Sequence, residues 1–167
     1  MKESNKLEAI DYTDLLLLDT LQRDASLSNQ ALAERLGLSA PTCLRRVRRL
    51  HEAGLIEHTV AILQPERVAA LLGHGLQALV EVTLERQDAE SLDSFEQAAV
   101  ADDGVQQCWR VSPGPDFMLV VQIRDMPAYL ALSKRLFSQH TNVRNVKTFF
   151  ATKRAKFSLH WPLLPER

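Results

Sequence analysis

Residues 27–54 read LSNQALAERLGLSAPTCLRRVRRLHEAG, and this stretch decides the N-terminal fold. Ser28 is a good helix N-cap, and Leu27 before it can staple against Leu32 at N4. Leu32 and Leu36 lie i,i+4 on one face, and Gly37 supplies the positive φ that a position just past a helix needs. Leu38 can pack back over the last turn. Ser39 caps the next helix, and Pro41 falls in its first turn, where the missing N–H is harmless. On a wheel of about 100° per residue, Cys43, Leu44, Val47 and Leu50 gather on one side. Thr42, Arg45 and Arg49 gather on the opposite side, with Arg46 and Arg48 on the flanks. Gly54 closes the helix. Two helices joined by a short turn with Gly, the second carrying a basic outer face, form the arrangement that enters a DNA major groove.

Upstream, Asp11 is an N-cap and Asp14 can return a bond to the cap N–H. Leu17, Leu18 and Leu21 continue that helix on one apolar face, and it fades near Asp24. Downstream, residues 55–63 read as strand-like, and Gln64-Pro65-Glu66 is a turn before an apolar stretch to Leu72. Alternation predicts strands over 76–84, 105–111, 117–124 and 143–152. Helical spacing predicts helices over 88–100, with Leu92, Phe95 and Ala99 on one face, and over 127–137. The order βαββαβ is that of a ferredoxin-like unit, one antiparallel sheet with both helices on one face.

Composition excludes several classes. The chain has 167 residues, 46% apolar and 25% charged, as in ordinary folded proteins. Its net charge of −1 announces no nucleic-acid partner by itself, so that case rests on local clustering. Residues 40–49 hold four Arg and no acid. Residues 85–125 hold nine acids against three Arg, and residues 126–165 hold seven Lys or Arg and no acid. Such segregation predicts faces that complement each other within or between subunits. No apolar run approaches the ~20 residues of a membrane span. Met1 to Glu8 mix Lys2, Glu3, Lys6 and Glu8, unlike a signal peptide. Cys43 and Cys108 fit free thiols in a reducing compartment, so a cytoplasmic protein is expected.

The residues resemble the Lrp/AsnC family of bacterial and archaeal transcription regulators. The likeness runs through Ile10-Asp11-x-x-Asp14-x-x-Leu17-Leu18-x-x-Leu21-Gln22-x-Asp24 and Leu32-Ala33-x-x-Leu36-Gly37-Leu38-Ser39. It continues into Cys43-x-x-Arg46-Val47-x-x-Leu50-x-x-x-Gly54-x-Ile56. The expected fold is α+β: an N-terminal winged helix-turn-helix domain and a C-terminal ferredoxin-like βαββαβ domain. We expect a DNA-binding domain at 1–58, a linker at 59–73, and an effector-binding and oligomerisation domain at 74–167. The resemblance implies a homodimer, often stacked into tetramers or octamers, that binds palindromic double-stranded DNA. It also implies an amino acid or related small molecule as effector. The family's loop between the second and third strands commonly reads Gly-Asp-Tyr-Asp. Here it reads Pro113-Gly114-Pro115-Asp116, so only the last Asp survives and two backbone donors are lost.

The candidate DNA-contacting residues are Ser39, Thr42, Arg45, Arg46, Arg48 and Arg49. Glu34 and Glu52, the acids nearest in sequence, do not balance four Arg, and Arg pairs bidentately with guanine. Arg45 and Arg49 are expected to point furthest outward. Arg46 and Arg48 are expected on phosphates or against a neighbouring helix. In the family motif the Arg46 position is the fixed one, which leaves a structural role open. Gly114, Asp116 and Thr148 are the candidate effector residues, with a carboxylate to meet an ammonium. Trp109 and Phe117 line either a pocket or the core. The basic residues Lys147, Lys153, Arg154 and Lys156 face either DNA or the acidic segment of a neighbour. The five His (51, 58, 74, 140, 160) lack ligand spacing, and no nucleophile–base pair or phosphate-cradling Gly loop is visible, so no metal, cofactor or enzymatic activity is expected. The altered loop supports a second reading, an effector-independent architectural DNA binder.

Overall fold

The computed structural model describes residues 10–73, 75–140 and 142–165; the readings of Met1 to Glu8 and of His74 lie outside the described residues. The chain divides into two compact units. One comprises the described residues up to Ile62 together with those from Lys156 on, and the other is Leu63–Ala155.

The first unit is built on three helices, α1 (Tyr12–Arg23), α2 (Asn29–Leu36) and α3 (Ala40–Glu52). Asp11 and Asp14 form the reciprocal cap of α1. The Asp14 N–H donates to Asp11 Oδ1 at 2.9 Å, and the Asp11 N–H donates to Asp14 Oδ2 at 3.1 Å. Ser28 caps α2 by accepting from the Ala31 N–H at 3.2 Å. Gly37 ends α2 at φ +66°, which lets the Leu38 N–H reach back to the Ala33 carbonyl at 2.8 Å. Asn29 Nδ2 donates to the Ala40 carbonyl at 2.9 Å and so ties the start of α2 to the start of α3. Leu17, Leu32, Ala33, Cys43 and Leu50 form the buried core beneath these helices. Burial raises the pKa of the Cys43 thiol, which suits a core residue.

Two expectations for this unit change. Leu44 is 48% exposed rather than buried. At about 100° per residue it sits roughly 90° from the centre of the apolar face, at its rim. Residues 55–64 form no strand, and Val60 and Ile62 are exposed. Apolar alternation alone does not make a strand; a ladder partner is required, and among the described residues none pairs there.

The second unit begins with α4 (Pro65–Leu72), where the sequence suggested only a turn and an apolar stretch. There follow β1 (Leu76–Leu84), α5 (Ala89–Val100), β2 (Val105–Arg110), β3 (Phe117–Ile123), α6 (Met126–Ser133) with a π-helical turn at Lys134–Ser138, and β4 (Val143–Phe150). The antiparallel sheet has the order β2-β3-β1-β4, so the ferredoxin-like expectation holds. Ala78, Val80, Val82 and Leu84 of β1 alternate inward and meet Phe95, Ala99, Leu132 and Phe137. The opposite face is open. There, in register, lie Gln107, Val120, Leu79 and Phe149, beside a row of Trp109, Met118, Glu81 and Lys147. Leu79, Trp109 and Phe149 are all exposed on it.

Arg135 of the basic stretch pairs with Asp102 of the acidic one, while the pairs of Arg110 and Lys147 do not join the two stretches. Arg110 reaches Asp93 and Glu96, each at 2.7 Å, Arg135 reaches Asp102 at 2.7 Å, and Lys147 reaches Glu81 at 3.6 Å. The end of the chain departs from the expected 74–167 domain, because its last described residues belong to the helical unit. Gln22 exchanges two hydrogen bonds with the Trp161 backbone, at 2.7 and 2.8 Å, and His160 Nε2 lies 2.9 Å from Asp19 Oδ1. These backbone and His contacts leave no periodic signal to read in sequence.

Arg23 first, then His160, holds the Asp19 carboxyl down at about 2. A depressed carboxyl stabilises the fold above its ordinary pKa of 3.8 and loses that effect as pH falls through about 2. Asp19→Asn should therefore be less stable than the parent at neutral pH and show a shallower loss of stability on acidification, measured by urea unfolding at a series of pH values.

Candidate nucleic-acid interface and effector site

Ser39 Oγ accepts from the Thr42 N–H at 3.4 Å and donates to Thr42 Oγ1 at 2.9 Å. The Thr42 hydroxyl proton remains available at the start of α3, beside the helix N-terminus. Ser39 thus acts first as a cap, with Thr42 its local partner.

The four arginines of α3 fall into two pairs. Arg46 and Arg49, i,i+3, share the flank that faces the start of α1. Arg46 Nη1 donates to Asp11 Oδ2 at 2.7 Å and to Asp14 Oδ1 at 2.9 Å. Arg49 Nη2 donates to Asp14 Oδ2. Asp14 is completely buried, so its carboxylate depends on these donors and on the Asp11 N–H. The Arg46 hydrogen bond holds the Asp11 carboxyl below its ordinary range, and Asp11 and Asp14 in turn raise Arg46. Arg45 and Arg48 are exposed and have no carboxylate partner among the described residues. Arg45, Arg46 and Arg49 together line a recess of about 230 Å³.

The expectation that Arg49 points outward with Arg45 is met in part, since its side chain keeps 42% exposure and lines the recess beside Arg45. Arg49 is turned onto a buried acid, and the second outward guanidinium is Arg48. The acids that matter are Asp11 and Asp14, more than thirty residues upstream, not the sequence neighbours Glu34 and Glu52. The capping-box signature already placed both carboxylates at the N-terminus of α1. It could not say which helix would cross there.

The three effector candidates do not converge within one subunit. Asp116 Oδ2 accepts from the Leu84 N–H at 2.7 Å, and its backbone bonds to Val82 and Val111, so it clamps the ends of β1, β2 and β3 together. Gly114 sits in the exposed 112–116 turn at φ +120°, a conformation that favours glycine, with open space where a Cβ would stand. Thr148 belongs to the other side of the sheet, where its hydroxyl bonds to the Tyr129 hydroxyl. From the register, Asp116 and Thr148 lie three residues along and two strands across, roughly 14 Å apart. Phe117 is core, its ring tilted against that of Phe95 with centroids 4.8 Å apart, while Trp109 stands on the open face. Among the described residues no cluster of His, Cys, Asp or Glu could hold a metal ion, and no helix is long and apolar enough to cross a membrane.

Comparison with known proteins agrees with this layout. Residues 10–57 match the family described as winged helix-turn-helix DNA-binding, and residues 77–159 match the Lrp/AsnC ligand binding domain. The leucine-responsive regulatory protein of Haemophilus influenzae is 32% identical over 92% of this chain and 90% of its own length. That of Escherichia coli K12 is 33% identical over 89% of this chain and 88% of its own. Among solved structures, a transcriptional regulator of Neisseria meningitidis in complex with L-Met superposes with a TM-score of 0.81 at 30% identity, covering 93% of this chain and 97% of that one. An AsnC family regulator of Agrobacterium tumefaciens gives 0.80 at 30% identity, covering 92% and 97%.

Arg46→Ala should destabilise the protein by about 2–4 kcal/mol, because it strips a buried carboxylate of the guanidinium donor to its Oδ1. Arg45→Ala should change stability by less than about 0.5 kcal/mol. Urea unfolding of the two variants side by side checks the contrast.

Proposed function

This chain belongs to the Lrp/AsnC family of DNA-binding transcriptional regulators, and from that premise we propose how it reads DNA and what it answers to. Arg45 and Arg48 carry the outward charge of α3 and enter the major groove, Arg45 toward a guanine edge and Arg48 toward a base or phosphate. Ser39 and Thr42 meet the phosphate at the start of the helix. Arg46 and Arg49 hold α3 at its angle to α1, and the edge of the recess they share with Arg45 can take a phosphate oxygen. The observation that supports this reading most is the division of the four arginines, two spent on Asp11 and Asp14 and two left outward.

One such helix covers only a few base pairs, so two are required for a specific site. The open sheet face, with Leu79, Trp109 and Phe149 uncovered on it, suits pairing with a second copy. The protein then works as a homodimer on a palindromic duplex in the cytoplasm, with two recognition helices about 34 Å apart. Stacking of dimers into tetramers or octamers is the further step implied by the family. No catalysis forms part of this role.

The effector is an amino acid or a close relative, a reading supported by the L-Met complex of the Neisseria relative. Because Asp116 and Thr148 lie far apart in one chain, a pocket built on the 112–116 turn draws its other wall from a second copy. The architectural alternative, which binds DNA without an effector, is favoured by one observation: Asp116 and Thr148 already have partners inside the fold.

A labelled duplex selected from random DNA by the full chain tests these readings. Arg45→Ala and Arg48→Ala should each weaken binding at least tenfold and lower the slope of log affinity against log salt. Unchanged affinity in both would refute the assignment. L-methionine or another amino acid should shift the binding curve; a curve indifferent to all of them would make the architectural reading the correct one.

A further inference from the structure

The outward stripe of α3 is not purely basic. Pro41, Leu44, Arg45 and Arg48 stand at i, i+3, i+4 and i+7, all exposed, and Leu44 leaves nearly half its surface to solvent between two guanidinia that have no carboxylate partner among the described residues. A leucine at that place contributes little to the core, since Cys43, Val47 and Leu50 carry that face. It also has no hydrogen-bonding capacity.

We propose that Leu44 is a specificity-determining residue that reads the C5-methyl group of thymine in the major groove. The proposal rests on the groove-facing role of α3 given above. The groove offers one apolar group, the thymine methyl, which the four base-pair orientations present at different places. A leucine side chain beside it removes apolar surface of both partners from water. The neighbouring Arg45 reaches a base pair one step away, about 3.4 Å along the axis. The joint signature is a thymine within one or two steps of a guanine in each half-site. Leucine supplies discrimination that arginine does not, because a guanidinium pairs with guanine but gains nothing from a methyl.

The experiment replaces each thymine of the selected duplex by deoxyuridine, which removes the methyl and keeps every hydrogen-bonding group. For the parent protein, one or two positions per half-site should weaken binding about fourfold, the factor that one buried methyl group is worth. Substitution in both half-sites should weaken it more than tenfold. Leu44→Ala and, independently, Leu44→Gln should bind the thymine and deoxyuridine duplexes equally, while Arg45→Ala keeps the ratio. Equal salt-dependent affinity of the parent and both Leu44 variants for an unrelated duplex shows that these variants are folded. A parent protein indifferent to every replacement, or a Leu44→Ala variant that keeps the full ratio, overturns the proposal and leaves the groove-facing role standing. A parent protein that selects no duplex overturns both.

Discussion

A buried carboxylate organises the DNA-binding half of this protein. Asp14 has no solvent exposure, yet it sits at the N-terminus of α1 with its two oxygens shared among the Asp11 N–H, Arg46 and Arg49. A charge in that position is tolerable because the helix N-terminus favours it and because guanidinium donors replace the lost water. Its geometry is demanding. α3 must cross α1 at the place where two arginines, one turn apart, can both reach the same acid.

That demand divides the labour among side chains that look equivalent. Arg46 and Arg49 are tied to the acids of α1, Arg49 with 42% of its side chain still exposed, while Leu44, Arg45 and Arg48 stand outward without such ties. Recognition by a helix gains from such preorganisation, since fewer side-chain rotamers are lost on binding. The second unit follows the same logic on a larger scale. One face of its sheet is sealed by α5 and α6, and the other keeps Leu79, Trp109 and Phe149 uncovered.

Much of this was legible in the residues. The caps at Asp11, Ser28 and Ser39, the stop at Gly37 and the alternation of 76–84 are local signals, and local signals survive folding. The bond from Arg49 to Asp14 was not legible, because the wheel reports direction from its own helix axis and not the position of an acid on another helix. Leu44 was misread because a cluster on a wheel has a rim, and only packing shows where the rim lies. Residues 55–64 carry apolar alternation without a partner strand among the described residues, and the docking of residues around Trp161 rests on backbone hydrogen bonds that no composition announces. Thr148 and Asp116 are ordinary strand and turn residues in sequence; their separation by two strands emerges only from the register.

The most direct test of the central claim is side-chain nitrogen–proton spectroscopy of the arginines, recorded on the free protein and on its complex with the selected duplex. The account predicts that the guanidinium protons of Arg46 and Arg49 are protected from exchange in the free protein and move little on binding. Those of Arg45 and Arg48 should exchange too fast to be seen until DNA is present. Fast-exchanging Arg46 and Arg49 in the free protein, or large shifts in them alone on binding, would contradict it.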